Sequence, residues 1–143
     1  MIESFNMITL QVGVKAFLRN KDGKYLLLKR NMAKYKGAKG SWDLVGGRID
    51  PGTALLDNLK REVLEETQLT ITSVPKLIFA QDILHFEDKH VVRLTYVADC
   101  EGEIVLDTSE NLEFKWLTIA EIRNQPDLDV YVKEVITTDT FFR

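Results

Sequence analysis

Near the start of the chain, Leu10, Val12, Val14, Ala16 and Leu18 alternate with Gln11, Gly13, Lys15, Phe17 and Arg19. Successive side chains of a strand point to opposite faces, so this period of two predicts a strand with one face in a core. Asn20-Lys21-Asp22-Gly23 is a turn sequence, and the apolar run Tyr25 to Lys29 behind it predicts a second strand in a hairpin with the first. Asn31 to Ser41, carrying Lys34, Lys36 and Lys39, reads as a basic loop. From Thr53 to Thr67 the apolar residues Leu55, Leu56, Leu59 and Val63 recur at helical spacing, uninterrupted by glycine or proline, and predict the main helix. Leu77 to Phe86 and Val91 to Ala98 read as strands joined near Glu87-Asp88-Lys89, and Leu112, Phe114 and Trp116 alternate with Glu113 and Lys115 in a later one. Thr118-Ile119-Ala120-Glu121 has the form of a capping box, flanked by Leu117 and Ile122 at the staple positions, and predicts a short helix. After Pro126, the stripe Leu128, Tyr131, Val132, Val135 and Ile136 predicts a terminal helix. Strands, helix, strands, helices is the order of an α/β (α+β) chain with a central mixed sheet and helices on its faces.

Composition narrows the function classes. With 143 residues, 45% of them hydrophobic, the chain can bury one ordinary core, and one domain over residues 1–143 is expected. A formal net charge of −3 lacks the basic excess of a duplex binder, so long nucleic acid is not expected as a partner. The single cysteine, Cys100, cannot form an internal disulfide and reads as a small buried filler. Met1-Ile2-Glu3-Ser4-Phe5 has an acid where a signal peptide carries bases, and no apolar run approaches the ~20 residues of a membrane span, so a cytoplasmic protein without a membrane partner is expected.

The main helix carries the chemistry. Arg61-Glu62-Val63-Leu64-Glu65-Glu66 places Glu62, Glu65 and Glu66 at i, i+3 and i+4, so three carboxylates share one face. They repel one another, and they lie toward the negative end of the helix dipole, where each is disfavoured by about a few tenths of a kcal/mol. Clustered carboxylate oxygens suit a hard cation such as Mg²⁺ or Mn²⁺. The alternative is a solvated acidic face, steadied by Asp57 to Arg61 and Arg61 to Glu65 at i, i+4. Ahead of the helix, Trp42-Asp43-Leu44-Val45-Gly46-Gly47-Arg48-Ile49-Asp50-Pro51-Gly52 reads as a glycine-rich loop able to offer carbonyls to a metal or amides to phosphate.

From Gly47 onward the chain resembles the Nudix hydrolases, whose signature is G-x5-E-x7-R-E-U-x-E-E-x-G-U with U a bulky aliphatic residue. Gly47, Arg61, Glu62, Val63, Glu65, Glu66 and Leu69 match in register, with Thr53 at the first glutamate and Gln68 at the final glycine. The resemblance implies the family's α/β/α sandwich. It also implies hydrolysis of a diphosphate bond in a nucleoside triphosphate, or in a nucleoside diphosphate linked to another group, with Mg²⁺ or Mn²⁺. On it, Glu62 and Glu66 would be principal metal ligands, Glu65 a further ligand or water-activating group, the Gly46 carbonyl an additional ligand and Arg61 the residue that orients the glutamates.

Two departures stand out. Thr53 brings no carboxylate, though it can cap the helix; Gln68 tolerates a left-handed helix end less well than glycine. Outside the signature, Glu110 lies where many relatives carry a loop carboxylate used as base or ligand, or is an exposed loop acid. Arg30 and Gly47 are the expected contacts to substrate phosphate. Trp42, on the verge of a strand, reads as core more than as a base-stacking residue, with Tyr35 the other aromatic candidate; His85 and His90 read as ordinary polar residues. A catalytically weakened nucleotide-binding regulatory module is the rival reading, kept open by Thr53. An edge strand or the terminal helix offers a homodimer surface.

Overall fold

The computed structural model describes residues 7–138 and 140–142; Met1 to Phe5, read above for targeting signals, lies outside them. The strands are β1 (Thr9–Arg19), β2 (Tyr25–Arg30), β3 (Trp42–Asp43), β4 (Val45–Arg48), β5 (Thr70–Ile71), β6 (Lys76–Ile83), β7 (Lys89–Glu101) and β8 (Asn111–Leu117). The helices are α1 (Leu55–Thr67), α2 (Ile119–Arg123) and α3 (Val130–Thr138), followed by a 3₁₀ turn at Thr140–Phe142. The sheet is mixed. β1 runs parallel to β7 from Thr9 against Lys89 to Arg19 against Asp99, while β6 pairs with β7, and β8 with β2, antiparallel. No helix among the described residues is long and apolar enough to cross a membrane.

Two apolar layers enclose the sheet. Val14, Ala16, Leu18, Leu26 and Leu28 meet Leu59 and Val63 of α1 on one face. Phe17, Leu27, Trp42 and Leu44 meet Ile122 of α2 and Val132, Val135 and Ile136 of α3 on the other. Phe17, which the alternation placed on a polar face, is therefore fully buried, because a strand in a central parallel pair is covered on both sides. Cys100 is buried, as expected of a filler, and burial pushes its thiol up to about 11. At the other extreme, Leu112 and Phe114 of β8 are 52% and 43% exposed. Helix α1 packs on β1, β4 and β5, and of β8 it is Trp116 that packs against the same layer.

Residues 42–52 are not a simple glycine-rich loop. They contain β3 and β4, and β4 pairs with β1 from Gly13 against Arg48 to Ala16 against Val45. Gly46 makes this possible: its φ is +140°, and a Cβ there would lie 2.0 Å from the Val14 carbonyl oxygen. A strand whose side chains are missing shows no period of two, which is why the pattern failed to reveal it.

Both ends of α1 correct the sequence reading. Thr53 does not cap it; Ala54 occupies the N-cap without a side-chain bond. Asn58, fully buried in the first turn, instead ties the preceding loop to the helix. Its Nδ2 donates to the carbonyls of Thr53 and Ala54 at 3.1 and 3.0 Å, and its Oδ1 accepts from the Asp50 amide and Arg61 Nη2, both at 3.0 Å. At the other end Gln68 adopts the left-handed conformation, φ 62°, and its amide donates to the Leu64 carbonyl. Helix α2 has the full capping box at Thr118 and Glu121. Helix α3 starts at Val130, with Leu128 buried ahead of it and Asp129 accepting from the amides of Tyr131 and Val132 at 2.9 and 3.3 Å.

Because a side chain at Gln68 strains a left-handed cap, Gln68→Gly is expected to stabilise the fold by up to about 1 kcal/mol. For a chain of this size that is a rise in melting temperature of roughly 3 °C, readable by thermal unfolding.

Candidate active site

Behind the site lies a buried ion network absent from the sequence reading. Asp43 accepts from Arg93 Nη2 at 2.7 Å and Lys15 Nζ at 3.0 Å, and pairs closely with Arg30. Asp129 joins through Arg30 Nη1 at 2.9 Å and Arg93 Nη1 at 3.5 Å. Burial by itself would raise the Asp43 carboxyl; the charges of Arg30, Arg93 and Lys15 outweigh it and hold the group well below the usual carboxylate range. The clue in the sequence was a charge in the middle of an apolar strand, Lys15 in β1 and Arg93 in β7.

In front of the network, a cavity of about 550 Å³ opens between the glutamate face of α1 and a basic, aromatic wall. Glu62 is half-buried against β4, where a Cβ on Gly47 would come 2.9 Å from its Oε2; only glycine lets the carboxylate approach. Glu66 is 7% exposed and accepts from the Gly46 amide at 3.4 Å. Burial raises the Glu62 carboxyl and pushes Glu66 up to about 7, since little positive charge offsets the desolvation. Glu65 is exposed beside Arg61 at 3.3 Å, and the same guanidinium reaches Glu62 at 3.4 Å and Asp50 at 3.0 Å. Arg61 thus touches two of the three glutamates.

The remaining candidates divide. Glu110 lines the cavity but is paired with Lys34 of the Asn31 to Ser41 loop. Arg30 lines it too, with nitrogens already bonded to the Gly40 carbonyl, Asp43 and Asp129. Trp42 is core, 6% exposed, with the Lys115 ammonium 4.6 Å from its ring. Tyr35 is on the cavity wall, and so is His85, whose Nδ1 is 2.8 Å from the Tyr131 hydroxyl and whose Nε2 is 3.1 Å from the Gly37 carbonyl. His85 links the basic loop to α3, a junction no local pattern reveals. His90 pairs with Asp82 at 2.7 Å.

Against known proteins, residues 9–138 match the family model described as the NUDIX domain. The chain belongs to the Nudix family. Among sequence relatives, it is 29% identical over 125 residues to "Nucleoside triphosphatase NudI" of Escherichia coli, covering 80% of this chain and 86% of that protein. It is 29% identical over 125 residues to "Nudix hydrolase 5" of Arabidopsis thaliana, which matches 81% of this chain; the chain spans only 39% of that protein's length and 42% of "Nudix hydrolase 6" from the same plant. Among structures, a MutT protein from Methanosarcina mazei Go1 superimposes with a TM-score of 0.76 at 25% identity, covering 91% of this chain and 92% of that one.

Nudix hydrolases generally use divalent metals, and the donor set here fits one. Glu62 and Glu66 are oxygen donors, withdrawn from water and under-compensated, and a hard cation would relieve their mutual repulsion. Among the described residues, no three acidic, histidine or cysteine side chains already converge as a ready cage. Such convergence is costly for bare carboxylates, which repel one another.

Asp43→Asn leaves Arg30, Arg93 and Lys15 under-compensated in the interior, and should destabilise the fold by about 3–5 kcal/mol in denaturant titrations. Glu66 titrates near 7 in the fold against 4.5 for an unperturbed glutamate, so the folded chain retains a proton that the unfolded chain releases across that window. Stability should therefore fall as pH rises through it, by on the order of 3 kcal/mol in total. In metal-free thermal melts, Glu66→Gln should melt above the parent at pH values over 7, with the gap closing toward 4.5.

Proposed function

We propose that the chain is a Mg²⁺- or Mn²⁺-dependent pyrophosphohydrolase that cleaves the diphosphate bond of a nucleoside triphosphate, or of a nucleoside diphosphate linked to another group, by attack of water at phosphorus. The observation that carries this reading is the opposition of Glu62 and Glu66 to a basic wall across a cavity of about 550 Å³. On this reading Glu62 and Glu66 hold the metal, with Glu65 and the Gly46 carbonyl as further ligands. The bound ion supplies neutralisation of the diphosphate charge and activation of water.

The chain's own residues do the rest. Arg61, touching Glu62 and Glu65, restrains their carboxylates. Lys36, Lys39, Arg48 and Lys89 line the cavity and attract a polyanion. Arg30 adds to that field; a direct bond to phosphate would require it to release Gly40, Asp43 or Asp129. The bare backbone at Gly47 makes room for the Glu62 carboxylate itself, so any contact of Gly47 with phosphate would run through its backbone. Either Glu65 or Glu110 receives the proton of the attacking water, and Glu110 can do so only after parting from Lys34. His85, Phe86 and Tyr131, on the far wall, give a planar base an aromatic surface.

The decisive experiment is release of phosphate or pyrophosphate from nucleoside triphosphates, ADP-ribose, dinucleoside polyphosphates and nucleotide sugars, with Mg²⁺ or Mn²⁺. Metal-dependent turnover is expected from at least one class, with kcat lowered by at least about 10²-fold in Glu66→Gln. Nucleotide binding without turnover across the panel would replace this reading with that of a regulatory module, with Thr53 as the suspected cause.

A further inference from the structure

Lys15 stands in the middle of β1, in a strand whose neighbours pack into both apolar layers. Its ammonium lies 3.0 Å from Asp43 Oδ2, 3.2 Å from the Leu44 carbonyl and, in a longer contact, 3.4 Å from the Gly46 carbonyl. An ammonium has three protons to donate, and here all of them are directed at oxygens of the β3–β4 segment. The side chain is 19% exposed and lines the same cavity as Glu62 and Glu66. Asp43 is not dependent on it, since Arg30 and Arg93 bond the same carboxylate. What Lys15 adds is therefore a fixed positive charge beside the two glutamates, bonded to the very carbonyl expected to serve a divalent cation.

We propose that Lys15 is a built-in competitor at the metal site: it holds the Gly46 carbonyl and repels a free divalent cation, so that the metal enters favourably only with the anionic substrate. This rests on the reading of Glu62 and Glu66 as metal ligands. A hard cation gains from each oxygen it contacts, and here one of those oxygens already has a cationic partner. The same charge that disfavours free Mg²⁺ favours a phosphate-bearing ligand, because the summed charge of a metal–nucleotide complex is negative. Lys15 is thus a positioning residue that sets the order of binding.

The test is Mg²⁺ binding by calorimetry without nucleotide, at about pH 8.5, above the titration of Glu66, so that carboxylate protonation does not obscure the result. Lys15→Met, which keeps the length and loses the charge, should bind free Mg²⁺ roughly tenfold more tightly than the parent. Lys15→Gln, which can still donate to the Leu44 carbonyl, should shift in the same direction and carries the test if the methionine variant does not fold. Lys15→Arg should stay near the parent. The metal-dependent rise in melting temperature should follow the same ranking. Unchanged or weaker Mg²⁺ binding in the uncharged variants, alongside its loss in Glu66→Gln, would overturn the role of Lys15 and leave the metal site standing. No Mg²⁺ binding in the parent, in any Lys15 variant or in Glu66→Gln would overturn the site itself and the proposal with it.

Discussion

Asp43 and Asp129 are carboxylates buried at 1% and 2% exposure, and neither can be charged there without cations beside it. Arg30 and Arg93 touch both, and Lys15 touches the first. These five side chains come from β1, β2, β3, β7 and the residue ahead of α3. The requirement that each charge find its partner therefore fixes where those elements stand relative to one another. Apolar packing drives the layers together, but it is non-directional and tolerates sliding; paired charges in a desolvated interior do not. Asp129 also accepts the second and third amides of α3, so the network ties down the start of that helix.

With β3 held by Asp43, β4 follows immediately and lies against β1, where Gly46 and Gly47 bring bare backbone up to α1. That close approach forces Glu62 and Glu66 out of water. Their raised titration is the electrostatic cost of that desolvation, which a bound cation would relieve. Lys15 belongs to both systems, bonding Asp43 behind and the Gly46 carbonyl in front. Through it the charge that organises the interior also acts on the face where chemistry is expected.

The cavity wall opposite the glutamates is assembled differently. Lys34, Tyr35 and Lys36 arrive from a loop, His85 and Phe86 from the connection between β6 and β7, and Tyr131 from α3. Contacts that hold the loop over the cavity include the Lys34 to Glu110 pair, the Val130 amide donating to the Lys39 carbonyl, and His85 bonded to both the Gly37 carbonyl and the Tyr131 hydroxyl. Such a wall varies easily in length and composition without disturbing the network behind it, which is the usual division between a rigid scaffold and the segments that select a ligand.

The sequence by itself determined the helix α1, the capping box of α2, most strands and the shared face of Glu62, Glu65 and Glu66, because each rests on spacing within a few residues. It also carried the Nudix resemblance, since that signature is a contiguous run. It misjudged Phe17, because the covering of a face depends on where a helix from elsewhere in the chain comes to lie. It missed β4, where glycines erase alternation, and it offered Thr53 as the cap of α1 where Ala54 takes that position without a side-chain bond. Only the tertiary structure decided that Arg30 is bonded to Asp43 and Asp129, that Glu110 is paired with Lys34, and that Lys15 stands beside Gly46. Lys15 and Gly46 are 31 positions apart, and Arg30 and Asp129 are 99. Burial and ion pairing at such separations depend on the three-dimensional approach of whole elements, whereas periodicity reports only what one element does along its own axis.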